Sequence, residues 1–271
     1  MSHGARPVVS LRGAGLAFGD RVLWEGLDLD IHEGEYFAVL GGNGTGKTSF
    51  LKVLLGLLPL REGTVQIAGG PARRGSGRIG YVPQQRAFGA GTPLRGRDLV
   101  GLGVDGHRWG IRLRSRARRR RVDELLGLVG AGSYADAPVG TLSGGEQQRL
   151  RIAQAIASDP ELLLCDEALL SLDLHHQHAV SELVDAQRRR TGAAVVFVTH
   201  EINPIIEHVD RILYLAGGRF RVGTPDEVLR GDVLSELYGT RIDVVRTGGR
   251  VVVVGHPDSS HHTHDAQELA L

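Results

Sequence analysis

Gly41-Gly42-Asn43-Gly44-Thr45-Gly46-Lys47-Thr48 is the stretch on which the reading of this 271-residue chain turns. It fits G-x-x-x-x-G-K-[ST], and its flanks give the context the pattern needs. Upstream, Tyr36-Phe37-Ala38-Val39-Leu40 is a compact apolar run that predicts a buried strand. Downstream, Phe50, Leu51, Leu54, Leu55 and Leu58 recur at helical spacing, which predicts a helix stopped by Pro59. Between them the glycines let the backbone curl, so that successive N–H groups converge on phosphate oxygens at the positive end of the helix. Lys47 would then reach the β- and γ-phosphates of a nucleotide, and the Thr48 hydroxyl would ligate Mg²⁺. Lys47 and Lys52 are the only lysines in the chain, so a lysine inside this motif is not compositional filler.

A second element lies far downstream. Leu162-Leu163-Leu164-Cys165-Asp166-Glu167 predicts a strand buried on both faces that delivers Asp166 to the sheet edge, where a carboxylate can hold the Mg²⁺ shell. Glu167, one residue on, is placed to polarise a water for attack on the γ-phosphate. Cys165 reads as a small apolar wall residue, and a single cysteine excludes an internal disulfide.

Strand and helix patterns alternate through the rest of the chain. A helix is expected from Gly145 to about Ser158, a second around residues 176–190, and a buried strand over residues 194–198. This order implies a mostly parallel sheet between helices. Leu27-Asp28-Leu29-Asp30-Ile31 alternates with period two and opens a region of short strands. Residues 88–139 are Gly- and Arg-rich and read as a helical insertion. Residues 242–246 and 251–254 flank Thr247-Gly248-Gly249 as a hairpin, and the chain from His256 on is polar, His-rich and expected to be disordered. No apolar run is long enough to cross a bilayer and no apolar leader follows Arg6, so a peripheral subunit is expected if the protein works at a membrane. The net charge of +1 points to no polyanionic partner. The arginine run over residues 112–121 lacks the interleaved aromatics of a nucleic-acid surface, and it reads as a solvated helical face near headgroups or partner loops.

At Leu142-Ser143-Gly144-Gly145-Glu146-Gln147-Gln148-Arg149 the chain resembles the signature of the ATP-binding cassette (ABC) ATPases, in register with the two motifs above. The resemblance covers residues 8–239. It implies a P-loop NTPase cassette with an N-terminal antiparallel β-subdomain, the cassette spanning residues 7–240 and its helical subdomain about 86–158. Residues 241–255 would form a short β extension and 256–271 the tail. It also implies that Ser143, Gly144 and Gly145 meet the γ-phosphate held by Gly41, Asn43, Gly44, Gly46, Lys47, Thr48 and Ser49 of a second copy, so that two ATPs are sandwiched in a head-to-tail dimer.

Other positions follow by the same resemblance. Tyr81-Val82-Pro83-Gln84 is similar to the loop whose glutamine touches Mg²⁺ and water, and Gln84 rather than Gln85 takes that place. His200, in Phe197-Val198-Thr199-His200, would contact the γ-phosphate and orient Glu167. Ser171-Leu172-Asp173 resembles the loop that crosses the dimer interface, and Phe18 the aromatic on adenine, with a core phenylalanine as the alternative. One departure stands out: Ala168-Leu169-Leu170 replaces the family's proline and small residues. A looser turn and a greasier interface loop are therefore expected.

A lone cassette with no fused span resembles an importer's separate ATPase subunit. Thr199-His200-Glu201-Ile202-Asn203-Pro204 and Leu237-Tyr238-Gly239 further resemble the ATPases of zinc/manganese-type importers. This implies ATP and Mg²⁺ as cofactors, integral-membrane permease subunits and a second copy as partners, and an extracytoplasmic metal-binding protein indirectly. No nucleic acid is expected, and the place of work would be the cytoplasmic face of the cell membrane. A siderophore or haem cargo, or a non-transport role, is the alternative. His256, His261, His262 and His264, with Asp258 and Asp265, read either as a solvated tail or as zinc ligands. His175, His176 and His178 read as an exposed helix face.

Overall fold

A computed structural model describes residues 6–84, 88–89, 91–106, 115–170 and 172–255. The tail histidines and aspartates from His256 on, Gln85, Ser171 and the first part of the arginine run lie outside the described residues.

Two long strands, β1 (Pro7–Phe18) and β2 (Arg21–His32), open the chain as an antiparallel pair. They are longer than the period-two segment at Leu27 predicts. The reason is that register shifts between Leu11 and Leu16 break the alternation without ending the pairing. With β4 (Glu62–Ile67) and β5 (Gly70–Pro71) they form a four-stranded sheet in the order β2-β1-β4-β5.

Between β2 and β4 the chain enters the main sheet as β3 (Tyr36–Gly41), then turns into α1 (Lys47–Leu54). The helix stops earlier than Pro59. Gly56, at φ +66°, takes the left-handed turn, while its N–H donates to Val53 O (3.0 Å) and that of Leu57 to Lys52 O (2.8 Å). These two bonds satisfy the last carbonyls of the helix before the proline is reached.

The main sheet collects β6 (Ile79–Val82), β7 (Leu162–Asp166), β8 (Ala194–Val198), β9 (Arg211–Ala216) and β10 (Arg219–Gly223) around β3, in the order β10-β9-β3-β8-β7-β6. All neighbours are parallel except β9 and β10. The central strands are buried on both faces, and their side chains alternate between two cores. Phe37, Val39, Leu162, Leu164, Val196 and Val198 face the antiparallel sheet and α1. Tyr36, Ala38, Leu163, Cys165, Val195 and Phe197 face the remaining helices. Continuous apolar runs are what a sheet covered on both faces requires.

Those helices include α2 (Gly96–Asp105), α3 (Arg116–Leu128) and α4 (Gly144–Ala155), which pack on one another between β6 and β7. The arginines of α3 are not a uniformly free face: Arg118 pairs with Asp105 (2.8 Å) and Arg121 with Asp159 (2.6 Å). α5 (Leu174–Thr191) joins β7 to β8. Short helices α6 (Pro225–Val228) and α7 (Gly231–Tyr238) follow β10, and β11 (Ile242–Thr247) with β12 (Arg250–Gly255) closes the described chain as a hairpin. Among the described residues no helix is long and apolar enough to cross a membrane.

Candidate nucleotide site

Parallel strands end together, and here their carboxyl ends carry the residues singled out in the sequence. β3 runs into the glycine loop, β7 into Asp166-Glu167, β8 into Thr199-His200 and β6 toward Gln84. In the loop, Gly41 has φ +144°, and a Cβ there would collide with the backbone carbonyl of Leu215 on β9. Only glycine fits. Gly46, at φ +102°, caps α1 without any side-chain bond to its first turn, which leaves those N–H groups to a ligand. Lys47 is buried, and its ammonium donates to the carbonyls of Gly41 and Gly42, both at 2.8 Å. Burial pulls its pKa down, while the carboxylates of Glu167 and Asp166 push it back up. Arg21 donates to Gly44 O at 2.9 Å and braces the loop from β2.

A cleft of ≈ 340 Å³ opens over the loop, and Phe18, Asn43, Thr48, Ser49 and Glu167 share its wall with Lys47 and the glycines. Phe18 is 52% exposed, which removes the core alternative for this ring.

Asp166 ends β7 with its carboxylate buried. Tyr81 Oη donates to Oδ2 at 3.2 Å, whereas Oδ1 is buried with no hydrogen-bond partner. Burial raises its pKa. A buried acceptor left unpaired is costly, and a hard divalent cation is a group that would satisfy it, so the residues present fit Mg²⁺. Glu167 sits in the left-handed region at φ +46°, and its N–H is tied to Val198 O at 2.9 Å. Its Oε2 accepts from Gln84 Nε2 at 2.8 Å.

His200 is exposed beyond β8, and among the described residues no hydrogen bond engages its ring. The group hydrogen-bonded to Glu167 in this structure is Gln84. Thr199, whose hydroxyl donates to Glu201 O at 2.9 Å and accepts from Glu201 N–H at 3.1 Å, turns the chain so that His200 faces outward.

Ser143, Gly144, Gly145 and Asp173 do not line this cleft. Ser143 caps α4 in a reciprocal box: its Oγ accepts from Glu146 N–H (3.3 Å), while the Ser143 N–H and hydroxyl both donate to Glu146 Oε2 (2.8 Å each). Gly145 is buried, and a Cβ there would enter the His176 imidazole. That ring is in turn held by Asp173, whose carboxylate oxygens lie 2.8 and 2.9 Å from His176 Nδ1, and Asp173 caps α5 through the His176 N–H at 2.8 Å. His176 is thus not on a free helix face; it wedges the first turn of α5 against that of α4. This contact was missed from sequence, because it joins segments whose docking no local pattern encodes.

Ala168-Leu169-Leu170 does not behave as expected either. Ala168 and Leu169 are buried, and the turn is closed by Leu170 N–H to Glu167 O at 3.0 Å. Leu169 serves the core on the helical side rather than greasing a surface loop, with Leu172 also buried there, while Leu170 is half-buried.

Comparison with known proteins agrees with this geometry. Residues 24–170 match the family described as "ABC transporter". The chain is 32% identical to the zinc import ATP-binding protein ZnuC of Chelativorans sp. (strain BNC1), over 97% of this chain and 83% of that protein. It is 33% identical to the zinc transport system ATP-binding protein TroB of Treponema pallidum (strain Nichols), over 82% of each. Among solved structures, a transporter described as metal-chelate type, in an inward-facing conformation, superposes with a TM-score of 0.78 at 25% identity, covering 93% of this chain and 99% of that one. The ADP conformation of MJ1267, an ATP-binding cassette of an ABC transporter, superposes with a TM-score of 0.71 at 16% identity, covering 86% and 97%.

Proposed function

The chain belongs to the ABC transporter family of ATP-binding proteins, and on that premise we propose that it is the ATPase subunit of an importer for a divalent metal ion, zinc or manganese. The observation that carries the reading is the meeting at one sheet edge of the glycine loop, the half-paired Asp166 and the Gln84–Glu167 pair. The zinc importers among its relatives support the choice of cargo.

ATP would lie in the cleft with its adenine on Phe18 and its phosphates on the N–H groups around Gly44, Gly46, Thr48 and Ser49. Lys47 exchanges the carbonyls of Gly41 and Gly42 for the β- and γ-phosphates. Thr48 and Asp166, with Gln84 beside them, would hold Mg²⁺, which would supply charge neutralisation for the transferring phosphoryl group. Glu167 accepts the proton of the attacking water, and His200 swings in to the γ-phosphate. Ser143, Gly144, Gly145 and Asp173, which lie outside this cleft, would serve the nucleotide of a second copy. Closure of two chains on two ATPs would drive permease subunits at the cytoplasmic face of the membrane, which receive the ion from an extracytoplasmic metal-binding protein.

The test is uptake of radiolabelled zinc and of manganese into vesicles carrying the permease and this chain, with the extracytoplasmic metal-binding protein supplied outside and ATP supplied inside. ATP-dependent uptake of either ion that Glu167→Gln abolishes is expected. Hydrolysis without transport of either ion overturns the cargo assignment.

A further inference from the structure

Asp173, His175 and His176 offer one carboxylate oxygen and two imidazole nitrogens within 4.8 Å of one another at the start of α5. We propose that these three side chains form a regulatory site for a divalent cation of the zinc class, and that its occupancy slows ATP hydrolysis. No step of the nucleotide chemistry uses His175 or His176.

Two of the ligands are already in place. The His176 ring stands between the Asp173 carboxylate and Gly145, with Nδ1 turned to the carboxylate and the Cδ2 edge against the glycine. The contact with Gly145 limits the ring on one side, and a cation bound to Nδ1 and the Asp173 carboxylate would replace the shared proton with a small spreading of the two ligands. The His175 ring stands edge-on to it, with centroids 5.6 Å apart, and is exposed, so a rotamer change closes the third bond at little cost. Two imidazoles and one carboxylate with water in the fourth position is a donor set that suits zinc and its neighbours and is poor for Mg²⁺.

The place of the cluster supplies the consequence. His176 is packed on Gly145, which the proposed function assigns to the nucleotide of a second copy, and Asp173 belongs to the same interface. A bound cation would clamp the starts of α4 and α5 together where two chains must close. ATP hydrolysis would then fall as the cation accumulates on this side of the membrane. Only this consequence rests on the proposed function; the binding does not.

The experiment titrates the full chain with Zn²⁺ by calorimetry, and with Co²⁺ by its visible absorption, comparing wild type with His175→Ala. One equivalent that loses about tenfold or more in affinity in the variant is expected, as for loss of a ligand or its support. Tail histidines would bind equally in both proteins and cancel. Identical isotherms overturn the site. The ratio of hydrolysis rates with and without Zn²⁺, in excess Mg-ATP, is then measured for each protein. A ratio below one in wild type that returns toward one in His175→Ala supports the coupling, and equal ratios overturn it. Neither measurement involves the permease, so failure of zinc uptake alone bears on the cargo and leaves this site standing.

Discussion

Gln84 Nε2 donates to Glu167 Oε2 at 2.8 Å, which ties the end of β6 to the carboxylate that follows β7. The bond occupies one of the oxygens that a water would need, so on the proposed function Glu167 would act as a base once Gln84 turns away. Replacing Glu167 by glutamine removes the proton acceptor and keeps the shape. Hydrolysis is expected to fall roughly 10²–10⁴-fold. ATP binding should persist, and the variant should run as a dimer with Mg-ATP in size-exclusion chromatography with light scattering. A Glu167→Gln protein that hydrolyses at the wild-type rate means that the base lies elsewhere.

Gly41→Ala tests the loop without touching any charge. The position combines φ +144° with a collision between the new Cβ and Leu215 O. The conformation alone is expected to cost about 1–3 kcal/mol in urea unfolding, with ATP affinity falling in parallel. Normal stability with weak binding would show that the loop rearranges before it takes phosphate.

Gly145 and His176 are coupled through one contact, which a double-mutant cycle can measure. Gly145→Ala drives a methyl into the imidazole and should cost about 1–3 kcal/mol. His176→Ala opens that space, so the double variant should recover much of the loss, with an interaction energy of about 0.5–3 kcal/mol. Strict additivity would place the two helices further apart.

The leucines after Glu167 show where reading the sequence succeeded and where it could not. The glycine loop, Asp166 and Ser143 were legible because each motif is complete within a few residues, and its chemistry dictates its spacing. Leu169 was not, because burial depends on which neighbour arrives: the residue sits in a loop by sequence and in the helical-side core by packing. The His176–Gly145 wedge and the Gln84–Glu167 bond failed to show for the same reason, since each joins segments tens of residues apart. The helix stop at Gly56 was missed because Pro59 is the louder local signal. Leu169→Ala should cost about 2–5 kcal/mol by urea unfolding. Leu174→Ala, at a position 61% exposed, should stay within about 0.5 kcal/mol.

Asp166 makes a prediction whose sign runs against the usual one for removing a polar group. Its folded-state pKa is raised, chiefly by burial, above the ordinary value of 3.8. An acid whose pKa rises on folding binds more protons in the native state than in the unfolded one. Stability therefore declines as pH climbs from the unfolded value through the raised one, and the deficit persists at neutral pH. Asparagine keeps an oxygen for the Tyr81 hydroxyl and carries no charge to desolvate. Without nucleotide, Asp166→Asn should melt above wild type at pH 7, and the difference should shrink as pH falls toward the carboxylate range. With Mg-ATP the order should reverse, because the wild-type carboxylate, whose Oδ1 has no hydrogen-bond partner, would bind the cation and the variant would not. Thermal scans at two pH values, with and without Mg-ATP, check all of this at once. A nucleotide-free variant that melts below wild type at pH 7 would mean that the buried carboxylate is already compensated by its neighbours.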